Sequence, residues 1–133
     1  MKLSEAIRLG AMLSPQGYDG DVDGETRCAL AAACDAVGIK GIPGRSYSRD
    51  RLVVNYREVE KRFPITSNLT TCPCHECNVS GKRMIIVTIV WHLNDFHRRT
   101  REQIADWVET VEAQQAGSNT LAQVVVSPEM VTV

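Results

Sequence analysis

Residues 71–112 read TCPCHECNVSGKRMIIVTIVWHLNDFHRRTREQIADWVETVE, and the fold depends on this stretch more than on any other. It contains three of the five cysteines, all three histidines and both tryptophans. Its second half has the strongest helix signal, because Thr100 and Gln103 form a capping box and apolar residues then recur at helical spacing. The sequence therefore predicts a helix from Arg101 to about Ala113.

The apolar segment before that helix has two interpretations. Residues 84–93 are rich in β-branched side chains, which favours a strand, but their apolar positions also form a stripe at helical spacing. The sequence shows no obvious partner strand apart from Val124–Val126, so we favour a helix. The segment HLNDFHRR then becomes the connection of a C-terminal helical hairpin.

Three more helices are expected nearer the N-terminus. Apolar spacing predicts one over Lys2–Leu13, and an Ala-rich segment predicts another over Glu25–Val37, ending at Gly38. A third apolar stripe predicts a helix over Arg51–Phe63, which Pro64 stops. The predicted fold class is mainly α: a compact helical domain with a Cys-rich knuckle, a C-terminal helical hairpin and room for one short β element.

The composition is that of an ordinary globular domain. A chain of 133 residues can bury one core, and its 44% hydrophobic and 23% charged residues argue against wholesale disorder. The apolar run from Met84 to Trp91 is shorter than the roughly 20 residues of a membrane span, and no secretory signal is visible. We therefore expect a cytoplasmic protein without membrane contact, with residues 1–116 as a single helical domain and 117–133 as a tail.

A candidate metal knuckle lies at the start of the stretch. Cys74 and Cys77 form a C-x-x-C motif with Cys72 just before it, and turn residues follow. Thiolates at this spacing can bind one tetrahedral zinc ion. In a reducing cytosol, a metal or free, redox-active thiols are expected before a disulfide. We predict that Cys72, Cys74 and Cys77 bind Zn, with free thiols as the main alternative.

The fourth ligand of such a site is not evident from the sequence. If the apolar segment is helical, His92 lies about 13 Å along the helix axis from the knuckle. Cys28 or Cys34, carried by another helix, is therefore the preferred fourth ligand. His92, Asp95 and His97 become a separate feature. They form either a catalytic or metal cluster or, as we favour, a connection with partly exposed histidines and helix-capping residues.

Charge is unevenly distributed along the chain. Residues 44–101 hold eleven basic and five acidic side chains, whereas residues 102–133 hold five acidic side chains and no Lys or Arg. A basic centre can contact nucleic acid or an acidic partner, or it can pair with the acidic ends of the chain itself. The candidate contact residues are Arg45, Arg49, Arg51, Arg98, Arg99 and Arg101.

A partial calcium motif occurs between the first two predicted helices. Asp19, Asp21, Asp23 and Gly24 match the first half of an EF-hand loop. Position twelve of such a loop requires a bidentate Glu, and this chain has Leu30 there. We therefore favour a polar turn whose acidic residues precede the positive end of the next helix.

The segments His92–His97, Thr100–Trp107 and Leu3–Leu13 resemble uncharacterised small proteins of phages and prophages. Those proteins pair an HLND-x-H…TREQIADW segment with an N-terminal LSEAIRLGAML. The resemblance implies a phage-linked protein acting inside a bacterial cell, without an activity to transfer.

The sequence supports three hypotheses about function. The leading one is a non-enzymatic binding protein that contacts a host or phage protein and has a structural zinc ion. The first alternative is a nucleic-acid-binding regulator that uses the basic central segment. The second is a metal-dependent hydrolase centred on His92, Asp95 and His97.

Overall fold

The computed structural model of the protein describes residues 1–18, 24–44, 51–74, 77 and 81–125, without the side chains of residues 51 and 118–125. Within these residues the chain forms five α-helices and two antiparallel two-stranded sheets. The elements in chain order are α1 (Leu3–Ala11), α2 (Ala29–Val37), β1 (Ile42–Gly44), β2 (Arg51–Val53), α3 (Tyr56–Arg62), a 3-10 helix (Pro64–Ser67), β3 (Leu69–Thr71), β4 (Arg83–Ile85), α4 (Ile86–Asp95) and α5 (Arg101–Val125). The predicted mainly helical fold class is confirmed.

The core lies between four of the helices. Helix α1 packs against α2 and α5, and α4 packs against the same two helices. Ile7, Ile89 and Ile104 are completely buried in this core. Burial of each such side chain stabilises the fold by about 1.5–3 kcal/mol, so these helices form one packed unit.

The helix ends follow the capping signals in the sequence. The predicted capping box is present, since the Thr100 amide donates to Gln103 Oε1 at 3.0 Å and the Gln103 amide donates to Thr100 Oγ1 at 3.1 Å. Gly38 ends α2 in the left-handed conformation, with φ of 76°. Helix α2 begins at Ala29, later than predicted, because Cys28 is its N-cap and accepts a hydrogen bond from the Ala31 amide.

The helix predicted over Arg51–Phe63 is wrong in its first part. Arg51–Val53 is strand β2, which pairs with β1 in a register that places Ile42 opposite Val53. Helix α3 begins only at Tyr56, because the side chain of Asn55 accepts a hydrogen bond from the Glu58 amide and caps the helix. The apolar stripe extended through residues 51–53, but pairing with strand β1 determined their conformation.

The ambiguous segment at residues 84–93 contains both structures. Its first residues belong to β4, and a helix follows from Ile86 onward, as we favoured. The partner strand is β3, with Leu69 opposite Ile85, and not the C-terminal valines. The Ile86 amide also donates to the Asn68 carbonyl at 2.9 Å, which fixes the point where strand becomes helix.

Helix α5 is longer than the sequence suggested. It continues past Ala113 to Val125, so the first part of the predicted tail is helical. Division of the chain at residue 117 stays a prediction, and residues 126–133 lie outside the described residues. Asp19, Asp21 and Asp23 of the partial calcium motif also lie outside them.

A buried asparagine joins the last turn of α4 to the start of α2. Asn94 Oδ1 accepts hydrogen bonds from the Ala29 amide and from Gln16 Nε2, each at 3.1 Å. Asn94 Nδ2 donates to the Gly17 carbonyl at 2.9 Å. These bonds satisfy a helix-terminal amide that would otherwise be buried without a partner. Asn94 is therefore a capping residue, as expected, although the helix that it caps is α2.

The close contact between α1 and α2 gives a first prediction. A Cβ atom added at Gly10 would lie 1.8 Å from the Ala32 carbonyl oxygen. Gly10→Ala should therefore separate the helices and lower the free energy of unfolding by about 1–3 kcal/mol, measured by urea denaturation. Gly117→Ala is the control, since nothing lies within 4 Å of the added atom and alanine should stabilise α5 by about 0.5–1 kcal/mol. Wild-type stability for Gly10→Ala would contradict the packing.

Candidate metal centre

The three cysteines of the knuckle follow strand β3 and lie close together. Cys72 and Cys74 are buried, and Cys77 is partly exposed. The Cys77 amide donates a hydrogen bond to Cys74 Sγ at 3.2 Å. This bond links the two ends of the C-x-x-C motif, and the three sulfur atoms lie within 4.8 Å of one another. None of the five cysteines forms a disulfide bond.

Two histidines reach the same place from the end of α4. His92 lies in the last turn of that helix, and Phe96 ends it. The chain then turns back, and the His97 amide donates to the His92 carbonyl at 3.1 Å. The two imidazole rings meet edge to face with centroids 4.5 Å apart. Helix α4 and the turn after it therefore place both rings against the knuckle.

The five side chains form one cluster of possible metal ligands. The ligand atoms of Cys72, Cys74, Cys77, His92 and His97 all lie within 4.8 Å of one another. Cys77 Sγ is 3.2 Å from His92 Nε2 and 3.6 Å from His97 Nε2. Ligands around a tetrahedral ion with bonds of about 2.0–2.3 Å are roughly 3.3–3.8 Å apart. The cluster can therefore hold a metal ion with little rearrangement.

The expectation that the knuckle and the histidines are separate features was wrong. It placed the knuckle beyond the N-terminal end of the helix, about 13 Å from His92. Residues 78–85, which lead from Cys77 back to α4, can span about 26 Å when extended, whereas α4 is about 15 Å long. The chain is thus long enough for Cys77 to lie beside the C-terminal end of α4, next to His92.

The preference for Cys28 or Cys34 as the missing ligand was also wrong. Neither cysteine belongs to the cluster. Cys28 caps α2, and Cys34 is buried in the core, where burial raises the pKa of its thiol to about 12. Both residues have structural positions in α2, and the additional ligand atoms come from the histidines.

The sequence did contain a signal for this assignment. His92 and His97 are the two histidines outside the knuckle, in a chain whose three knuckle cysteines lack a fourth partner. Helical geometry alone argued against these histidines as metal ligands. It gives the distance between residues along the helix axis, but it does not give the path of the chain outside the helix. His75, which lies inside the knuckle, is outside the described residues.

Burial and contacts within the cluster shift the pKa values of its members. The pKa of the Cys77 thiol is raised to about 12, first by its hydrogen bond with Cys74 and then by burial and the other sulfur atoms. Burial raises the pKa of Cys72. Burial, and then the charge of His97, lower the pKa of His92. The cluster thus favours neutral groups, and an entering cation would displace the thiol protons.

The candidate contact arginines differ in their surroundings. Arg98 is exposed, and its guanidinium group lies 4.2 Å from the centre of the Tyr18 ring. Arg99 is partly exposed. Arg101 is only 8% exposed and donates to the carbonyls of Ser14 and Arg27, which gives it a structural role inside the fold.

The other predicted contact arginines have no described side chains. Arg51 lies in strand β2, where only its backbone is described. Arg45 and Arg49 lie outside the described residues. Their predicted contact with nucleic acid or a partner protein stays a prediction.

His92, Asp95 and His97 do not form a site separate from the cysteines. His92 and His97 both contact Cys77. Asp95 Oδ1 accepts a hydrogen bond from Asn94 Nδ2 at 2.7 Å. The histidines thus belong to a thiol cluster, which is a different arrangement from the His-Asp-His site expected of a hydrolase.

Comparison with protein-family models, curated proteins and solved structures gives no match to this chain. The similarity to phage and prophage proteins therefore stays a prediction. Among the helices within the described residues, none combines the length and the apolar character needed to cross a membrane.

The cluster predicts that the protein binds one divalent metal ion per chain, measured by elemental analysis after dialysis. The double variant Cys74→Ser/Cys77→Ser should remove that ion, because it leaves three of the five candidate ligands, fewer than a closed tetrahedral site requires. Cys28→Ser is the matched control, since serine is a good N-cap and Cys28 is outside the cluster. Equal metal content in the two variants would contradict the assignment.

Proposed function

We propose that this chain is a small zinc-stabilised binding protein, linked to phages, that acts inside a bacterial cell by contact with a host or phage protein. The single observation that carries the proposal is the cluster of five ligand atoms within 4.8 Å. Zinc is the metal that best suits this set, because it combines thiolate and imidazole ligands in tetrahedral geometry.

A structural role for the zinc ion follows from the number and type of the ligands. Catalytic zinc sites use three protein ligands and leave a position for water, whereas structural sites are closed by four. Five candidate ligands are more than a closed site requires. Three thiolates also more than neutralise the ion, so it would polarise a bound water molecule weakly. These features favour a structural site over the hydrolase alternative.

The ion would join two segments of the chain. Cys72, Cys74 and Cys77 belong to the loop after β3, and the histidines belong to the end of α4. Bonds from zinc to both groups would link the knuckle directly to the end of α4. Metal binding in small domains contributes to folding in this way.

The exposed side chain of Phe96 supports the proposal that this protein contacts a partner. This side chain is 72% exposed, which is unusual for a large aromatic residue. The ring stacks on His92, with centroids 5.0 Å apart and planes at 13°. Zinc bound to His92 would fix that ring and so hold Phe96 in one orientation. A preorganised aromatic side chain loses little entropy on binding and is a frequent centre of protein interfaces.

Nucleic acid is the second candidate partner, because Arg98 and Arg99 lie two and three residues after Phe96. An aromatic side chain with neighbouring basic residues can stack on a base and contact phosphate. Oligonucleotide binding that weakens steeply with salt would favour this alternative over a protein partner.

The zinc assignment predicts that the two histidines can replace each other. Three sulfur atoms leave one tetrahedral position, and either His92 or His97 can fill it. His92→Ala and His97→Ala should each retain one zinc ion, whereas the double variant should lose tight binding. Removal of zinc from the wild-type protein by a chelator should lower the free energy of unfolding by about 4 kcal/mol relative to free zinc at roughly 1,000 times Kd.

The histidine prediction can fail in two separable ways. Loss of zinc from one single variant alone would show that the two rings are not equivalent. Retention of zinc by the double variant would show that neither ring is a ligand. Equal stability with and without zinc would contradict a structural role.

The partner proposal is tested by affinity capture from the bacterial host with the zinc-loaded protein. Phe96→Ser should lose a protein that the wild type retains, because the exposed ring is removed without a change in the core. Met12→Ser is the control, since Met12 is 81% exposed on α1. The identified protein should bind the purified wild type and the control equally, and the Phe96 variant at least about tenfold more weakly. Equal affinities for all three would contradict the proposed surface.

A further inference from the structure

A recess unconnected with the metal cluster lies between the end of α2 and helix α3. It has a volume of about 550 Å³, within the range of small-molecule sites in proteins. One wall is the chain from Val37 to Ile42, which leads from α2 into strand β1. The other wall consists of Asn55, Glu58, Lys61 and Arg62.

The shape of the recess follows from local features of the sequence. Gly38 ends α2 with φ of 76° and turns the chain away from the helix axis. Strand β1 then begins at Ile42 and pairs with β2. Asn55 caps α3 two residues after β2 ends. A glycine turn, a strand pair and a capped helix therefore form the two walls together.

Most of the charged side chains that line the recess are basic. Lys40 comes from one wall, and Lys61 and Arg62 come from the other. Glu58 is the one carboxylate among the lining residues, and it lies 3.4 Å from Lys61 Nζ. One of the three positive charges is thus neutralised by pairing. The remaining excess of positive charge would be stabilised by an anion between the walls.

The kinds of donors present favour a phosphate group. Arginine offers a planar pair of N–H groups that matches phosphate oxygens, and lysine adds point charges that can approach from another side. Asn55 Oδ1 is engaged in capping α3, which leaves its amide nitrogen as a neutral donor. The carbonyl groups at the end of α2 carry partial negative charge, so the anion should lie toward α3.

We propose that this recess binds the phosphate group of a phosphorylated ligand, with Lys40, Lys61 and Arg62 as its charged contacts. The site does not depend on zinc or on the partner surface at Phe96. The phosphate could belong to a small phosphate ester or to a nucleic-acid backbone, since both present the same group. The volume exceeds that of phosphate alone and leaves room for the group attached to it.

The proposal is tested by NMR titration of the zinc-loaded, full-length protein with inorganic phosphate. Amide shifts should be confined to residues 37–42 and 55–62. Lys40→Gln and Arg62→Gln should each weaken phosphate binding about tenfold, because each removes a charge-assisted hydrogen bond. The controls are Lys82→Gln and Arg57→Gln, which make the same chemical changes outside the recess and should alter affinity less than about twofold.

Two results would overturn the proposal. One is the absence of shifts in the recess at millimolar phosphate. The other is equal weakening by the recess variants and the controls, which would indicate attraction to overall charge and not a site. Titrations with adenosine monophosphate and with a short single-stranded oligonucleotide then identify the source of the phosphate. A small ester is the ligand if the two probes bind equally, and a nucleic-acid backbone if the oligonucleotide binds more tightly at the same residues.

Discussion

The carboxamide of Asn94 joins helix α4 to the start of helix α2 inside the core. It accepts hydrogen bonds from the first amide of α2 and from Gln16, and it donates to the Gly17 carbonyl. Loss of this side chain would leave a helix terminus and a carbonyl buried without partners, each at a cost of about 1–3 kcal/mol. The position of α4 against α2, and hence of everything at the end of α4, depends on these bonds.

The last turn of α4, which carries Asn94, also faces the metal cluster. His92 precedes Asn94 by two residues, which places the two side chains about 200° apart around the helix. One side of α4 is therefore fixed to the core, while the other presents the His92 ring to the knuckle, with Nε2 at 3.2 Å from Cys77 Sγ. A metal ion held there would be bound on one side by a rigid helix and on the other by a short loop.

Two surfaces with different chemistry result from this arrangement. The exposed ring of Phe96 lies on the metal cluster and suits contact with another macromolecule. The recess between α2 and α3 is basic and suits a phosphate group. The uneven distribution of charge along the sequence anticipated a basic surface, but it pointed to a run of arginines. The recess instead combines Lys40 with residues from α3, which are brought together by the β1–β2 pair.

The sequence by itself determined the helical class, the capping box at Thr100, the end of α2 at Gly38 and the three knuckle cysteines. These features depend on neighbours within a few residues, where periodicity and capping chemistry act directly. Only the tertiary structure decided that residues 51–53 form a strand and that His92 and His97 lie beside Cys77. It also showed that Arg101 is buried on backbone carbonyls. The strand depends on its pairing with β1, and the other two results depend on contacts between separate segments of the chain, which helical spacing does not contain.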